Sequence, residues 1–121
     1  MSSKTTLTTF TVKAGMEARA EEWMRVLIER QVDCVETLDR ERMHIESIFK
    51  STREGRMRLS WLTVQSVGGD KVRGSPHEVD TLHVAFWDAC IEHDVPPATF
   101  EHVVSFVAAA VAEAIDARNR A

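Results

Sequence analysis

Apolar residues in this chain recur in two rhythms, every second residue and every third to fourth, and the order in which the rhythms alternate restricts the fold more than any motif does. From Thr5 to Lys13 a threonine-rich stretch alternates around Leu7, Phe10 and Val12, which predicts a first strand closed by Gly15. From Met16 to Arg40 the residues Met16, Ala20, Trp23, Leu27, Cys34 and Leu38, joined by Met24, Ile28 and Val35, fall on one stripe of helical period. Glu21 stands four residues before Arg25 and Glu36 four before Arg40, the favourable orientation for helix-surface pairs. The spacing therefore predicts one long amphipathic helix.

Met43 to Lys50 alternates again, with Met43, Ile45 and Phe49 on one side and His44, Glu46 and Lys50 on the other. Met57 to Ser66 carries Leu59, Trp61, Leu62 and Val64, and the polar link Ser51 to Gly55 between the two runs predicts a β-hairpin. Val67 to Gly74 is glycine-rich and is expected to be a mobile loop. Ser75-Pro76-His77-Glu78 combines a serine cap, a proline at the first helical position and a glutamate able to reach back, so a second helix is expected from there to about Asp94, stopped by Val95-Pro96-Pro97. Phe100 to Phe106 alternates as a fourth strand, and an alanine-rich run to Ile115 predicts a short terminal helix. The order β-α-β-β-α-β is the α+β, ferredoxin-like pattern, a four-stranded antiparallel sheet with two helices on one face. Leu7, Phe10, Ile48, Leu62 and Val104 are divided between both sides of that sheet, so its second face calls for cover and a homodimer is expected.

A chain of 121 residues builds one ordinary core, so a single domain is expected. Its 15 basic residues are scattered among 19 acidic ones, a net charge of −4, which disfavours nucleic-acid binding. The N-terminus has no apolar run behind Lys4, and no uncharged stretch is long enough to cross a bilayer, so a cytoplasmic protein without a membrane partner is expected. Cys34 and Cys90 each sit inside a predicted helix with no CxxC spacing, which reads as two reduced, buried thiols.

Several stretches, Phe10 to Gly15, Glu36 to Phe49, Trp61, Gly68-Gly69 and Ser75 to Trp87, resemble a bacterial family of unknown function whose fold is the dimeric α+β-barrel type of ferredoxin-like domain. The resemblance covers nearly the whole chain, and its most specific pieces are H-E-V-D-x-x-H-x-x-x-W in the second long helix and E-x-M-H-x-E-x-I-F in the second strand. It implies the fold and dimerisation but no activity. The wider superfamily includes cofactor-free monooxygenases, haem-handling enzymes and small-molecule isomerases, so fold analogy leaves the chemistry open.

Winding Ser75 to Asp94 at 100° per residue sets Val79, Phe86 and Cys90 at the centre of the apolar face with His83 among them. Asp80 lies one turn before His83 and Trp87 one turn after it, so a carboxylate, an imidazole and an indole converge on one flank. That arrangement makes His83 a candidate general base supported by Asp80, set against the plainer reading of a core histidine with a structural partner. His44 and Glu46 are expected to project from one side of their strand, with Trp61 on the neighbouring strand, as candidate ligand-binding residues together with Trp87. No metal-ligand spacing, Walker loop, nucleophile elbow or dinucleotide fingerprint appears, and no cofactor is expected. Three functional readings follow: a small organic molecule held between sheet and helices with His83 as base, a non-catalytic interaction module, or haem held through His83.

Overall fold

The structure, a computed structural model, describes residues 3–69 and 71–120. Asp70, within the expected glycine-rich loop, lies outside the described residues. The elements run β1 (Ser3–Thr11), α1 (Glu17–Glu29), α2 (Gln31–Glu41), β2 (Met43–Arg53), β3 (Arg56–Ser66), α3 (Glu78–Cys90), β4 (Ala98–Thr99) and α4 (Ala109–Arg120). The strands form one four-stranded antiparallel sheet in the order β2-β3-β1-β4, so the chain is an α+β domain. Among the described residues no helix is long and apolar enough to cross a membrane.

The central register determines which side chains meet. Thr6, Thr63 and Glu46 stand in one row across β1, β3 and β2, Thr8, Trp61 and Ile48 in the next, and Phe10, Leu59 and Lys50 in a third. Because side chains alternate along a strand, these rows face the helices, while Thr5-Val64-Ile45, Leu7-Leu62-Ser47 and Thr9-Ser60-Phe49 face the other way. The core lies on the helical side, where Val12, Ala20, Trp23, Leu59, Trp61, Phe86, Cys90 and Ile91 form one cluster. Fully burying a side chain such as Leu59 contributes roughly 2–3 kcal/mol.

The single long helix expected from Met16 to Arg40 is two helices meeting at Arg30, whose backbone (φ −99°, ψ 26°) leaves the helical region. The break turns the buried stripe. Ala20 and Trp23 are buried on α1, but on α2 the buried positions are Thr37 and Glu41, while Ile28, Val32 and Val35 remain exposed. The hairpin link is shorter than expected: β2 runs on to Arg53, and Glu54-Gly55 alone makes the turn, with φ of 54° and 75°. Positive φ at both residues is the tight hairpin geometry that matches strand twist.

The second long helix starts later and ends earlier than the sequence predicts. Its cap is His77, with no side-chain cap bond, because the Ser75 hydroxyl instead accepts from Arg40 Nη2 (2.9 Å) and from the His77 amide (3.2 Å). It stops at Cys90 rather than near Asp94, since Ile91 pairs with Val12 and the Glu92 amide donates to the Thr11 carbonyl at 2.8 Å.

The expected fourth strand over Phe100 to Phe106 is not formed. Pairing with β1 is confined to Thr8-Thr99 and Thr9-Ala98, after which the segment leaves the edge, passes Leu7 and Leu62, and continues without regular structure to α4. Its apolar side chains are largely left uncovered by the described residues: Phe106 is 95% and Val103 87% exposed. The terminal helix forms over Ala109–Arg120, beyond the expected end at Ile115, and buries no residue.

Candidate functional site

Between the sheet and helices α2 and α3 lies a chamber of about 140 Å³ lined by Leu27, Cys34, Thr37, Glu41, Glu46, Ile48, Val72, Val79, Asp80 and His83. Each polar wall residue arrives there for a local reason. Cys34, Thr37 and Glu41 are spaced i, i+3, i+7 on α2 and so share one face, the one that the break at Arg30 turns inward. Asp80 and His83 are one turn apart on α3. Glu46 lies in an inward row of β2.

Glu46 owes that position to a bulge. Met43 pairs with Gln65 and Ile45 with Val64, so His44 is an extra residue and the alternation slips by one. His44 turns to the outer side, where its Nε2 shares a hydrogen bond with the Ser66 hydroxyl (2.8 Å) and its Nδ1 lies 2.9 Å from Arg118 on α4. The expectation that His44 and Glu46 share a side therefore does not hold. Burial and the Arg118 charge push the His44 pKa down.

Two of the three carboxyl groups in the chamber lack a strong counter-charge. Asp80, 5% exposed, pairs with Arg40 (Nη2 to Oδ2, 3.2 Å). Glu41 is 4% exposed, and desolvation first, then Glu46 and Asp80, raise its pKa from 4.5 to about 7. The Thr37 hydroxyl, which also lies 2.8 Å from the Cys34 carbonyl, and the Arg40 charge oppose that rise. Glu46 is solvent-accessible through the opening of the groove yet walled by protein. Desolvation raises its pKa, with a hydrogen bond from Trp61 opposing and Asp80 adding to the rise. Burial likewise raises the pKa of the Cys34 thiol.

His83 is half-buried, and burial lowers its pKa against the opposing pull of Asp80. Its Nδ1 accepts a hydrogen bond from Trp23 Nε1 at 3.1 Å. An indole nitrogen only donates, so the neutral imidazole carries its proton on Nε2 and offers a donor at that end. On the far side of His83 a second cavity of about 230 Å³ is lined by Thr6, Thr8, Phe10, Trp61, Thr63, His83 and Trp87. Trp87 packs edge-on against Phe10 (centroids 4.6 Å apart) and Trp61 (5.6 Å).

With a domain of this architecture, an acidic chamber and a neighbouring tryptophan-lined cavity in place, the family match falls over residues 3–111. The chain belongs to a family of unknown function, DUF6176. No curated protein and no solved structure matches it. Family membership thus assigns no role to any residue, and the chemistry of the chamber has to be read from its own side chains.

Of the sequence candidates, His83, Asp80 and Glu46 line the chamber, Trp61 stands against Glu46, and Trp87 lies beyond His83 in the second cavity. His44 is separated from them by the sheet. Glu41, Thr37, Cys34 and Trp23 were not singled out as site residues. For Glu41 a signal exists, since it opens the same E-x-M-H-x-E segment that contains Glu46. Trp23 reads as core and becomes significant only through its bond to His83. The glycine-rich loop is tied down on both sides of Asp70: a side chain on Gly69 would lie 1.9 Å from the Glu41 carbonyl oxygen, and Arg73 pairs with Asp88 at 2.8 Å. Among the described residues no three His, Cys, Asp or Glu side chains are arranged to hold a metal ion.

Proposed function

We propose that this protein binds a small organic molecule between its sheet and its helices, and that the group poised to exchange a proton with it is Glu41. The observation that carries the reading is the 140 Å³ chamber whose buried Glu41 carboxyl has a pKa of about 7. Perturbed carboxyl groups facing a cavity are the common mark of a functional site, and a pKa near neutrality suits general acid-base chemistry. His83, with Trp23 on Nδ1, is better suited to donating a hydrogen bond through Nε2 than to acting as the base. A chamber of this size takes a molecule about as large as benzene, which speaks against a haem held on His83.

A thermal-shift screen of small organic compounds tests the proposal, with Cys34→Phe as the control that places a ring inside the chamber. Hits should vanish in that variant while its circular dichroism stays native. Hits that persist there, or a screen without any hit, remove the ligand-binding reading.

We further propose that the outer face of the sheet is covered by a second copy in a homodimer. Phe49, 55% exposed, and Ile45 stand on that face, and the uncovered segment Phe100–Val107 adjoins it across Leu7 and Leu62. The sheet order β2-β3-β1-β4 supports a ferredoxin-like topology, in which helices shield one face only. Sedimentation of the wild type should give twice the monomer mass and of Phe49→Glu the monomer mass. A monomeric wild type at high concentration rules the dimer out.

A further inference from the structure

The carboxylate chamber and the aromatic cavity meet at His83, and their walls are consecutive rows of one sheet face: Glu46 is registered with Thr63, and Ile48 with Trp61. We propose that the two are halves of one site and that its ligand class is the aralkylamines, with the ammonium held by Glu41 and Glu46 and the ring set against Trp61 and Trp87. This rests on the reading of a small-molecule site given above and adds the chemistry of the occupant.

Two independent features point the same way. The first is the charge balance. Arg40 pairs with Asp80, and the enclosed Glu41 has beside it the Thr37 hydroxyl and the field of that same Arg40, so the chamber carboxyls are left short of positive charge. A buried carboxylate short of counter-charge is costly, and an ammonium group supplies both positive charge and further donors. An anionic ligand would meet Glu41 and Glu46 head-on, which disfavours aromatic acids. The second is the aromatic wall. Trp61, which stands against the Glu46 carboxyl, also belongs to the aromatic cavity, so a cation near Glu46 lies beside an indole, an arrangement that stabilises organic ammonium ions. Phe10, Trp61 and Trp87 give the cavity an aromatic wall, against which a flat ring packs.

Isothermal calorimetry at pH 8 with three probes of similar shape tests the assignment: phenethylamine, 2-phenylethanol and 3-phenylpropionate. The amine should bind at least about tenfold more tightly than the alcohol, with the acid weakest. Glu46→Gln, at an accessible position that leaves the fold intact, should bring the amine down to the level of the alcohol. Trp87→Leu should weaken the amine and the alcohol alike. Equal binding of amine and alcohol, stronger binding of the acid, or an amine preference that survives in Glu46→Gln overturns the amine assignment while leaving a ligand site standing. No heat with any probe overturns it as well, and the broader reading is then judged by its own screen.

Discussion

Replacing Glu41 with glutamine should abolish one specific pH dependence of folding. The buried carboxyl holds its proton up to about pH 7, whereas in the unfolded chain it releases it near the ordinary value of 4.5. Between those values the folded state binds more protons than the unfolded state, so the stability associated with Glu41 falls as pH rises through the window and levels off above it. A difference of that size, from 4.5 to about 7, corresponds to roughly 3 kcal/mol. Glutamine keeps the shape and never ionises. Glu41→Gln should therefore match the wild type within about 1 kcal/mol near pH 4.5 and exceed it by roughly 3 kcal/mol at pH 8. Glu46, also raised, contributes in the same direction, and His83, whose pKa is lowered, acts in the opposite direction as pH falls. Both remain in the variant, so the difference between the two proteins reports Glu41 together with its coupling to Glu46 and Asp80. Urea unfolding at fixed protein concentration from pH 5 to pH 8 measures it. Parallel pH profiles, or a variant less stable than wild type at pH 8, would refute the claim that Glu41 is buried without an adequate partner.

Two further substitutions probe the supports of the chamber. Gly69→Ala forces a methyl group to within 1.9 Å of the Glu41 carbonyl oxygen and 2.3 Å of its carbon, backbone atoms that have no rotamer to escape into. Chemical denaturation should show a loss of roughly 2–3 kcal/mol, and an unchanged midpoint would mean that loop and helix are not in contact. Trp23→Phe removes the donor to His83 Nδ1 at a cost of about 1–3 kcal/mol and frees the ring to exchange tautomers, which ¹⁵N chemical shifts of the imidazole report. A ring that stays protonated on Nε2 in the variant would show that something other than Trp23 fixes it.

How much of this the sequence disclosed depended on whether each signal was local. The alternation of β1 and β3, the stripe of α1 and the apolar face of α3 were legible, because one residue's period decides which side it faces. His83, Asp80 and Trp61 face the cavities between sheet and helices for the same reason. The helix break at Arg30 was not legible: neither proline nor glycine marks it, and residues on both sides are acceptable helix formers. It nevertheless decides that Thr37 and Glu41, rather than Val32 and Val35, turn inward. The segment Phe100–Phe106 misled in the opposite way. Its alternation is that of a strand, but the chain leaves the β1 edge after Thr99 although β1 itself runs back to Ser3, so periodicity alone did not decide the pairing.

The bulge at His44 ties the two proposals together. With Met43 facing inward, unbroken alternation would turn Ile45 and Phe49 toward the core and Glu46 and Lys50 toward solvent, the arrangement hydrophobic patterning favours. One inserted residue reverses every position after it, so Glu46 enters the chamber and Phe49 goes to the outer face. In a lone folded chain the exchange brings Ile48 against the core in place of Ser47, but it also sets a carboxyl in a desolvating groove and an aromatic ring in water. The exchange becomes favourable once both displaced groups are answered, the carboxyl by a ligand's donor and the ring by the sheet of a second copy. The proposed ligand site and the proposed dimer face thus draw on one local irregularity, and a strand that loses the bulge should lose both together.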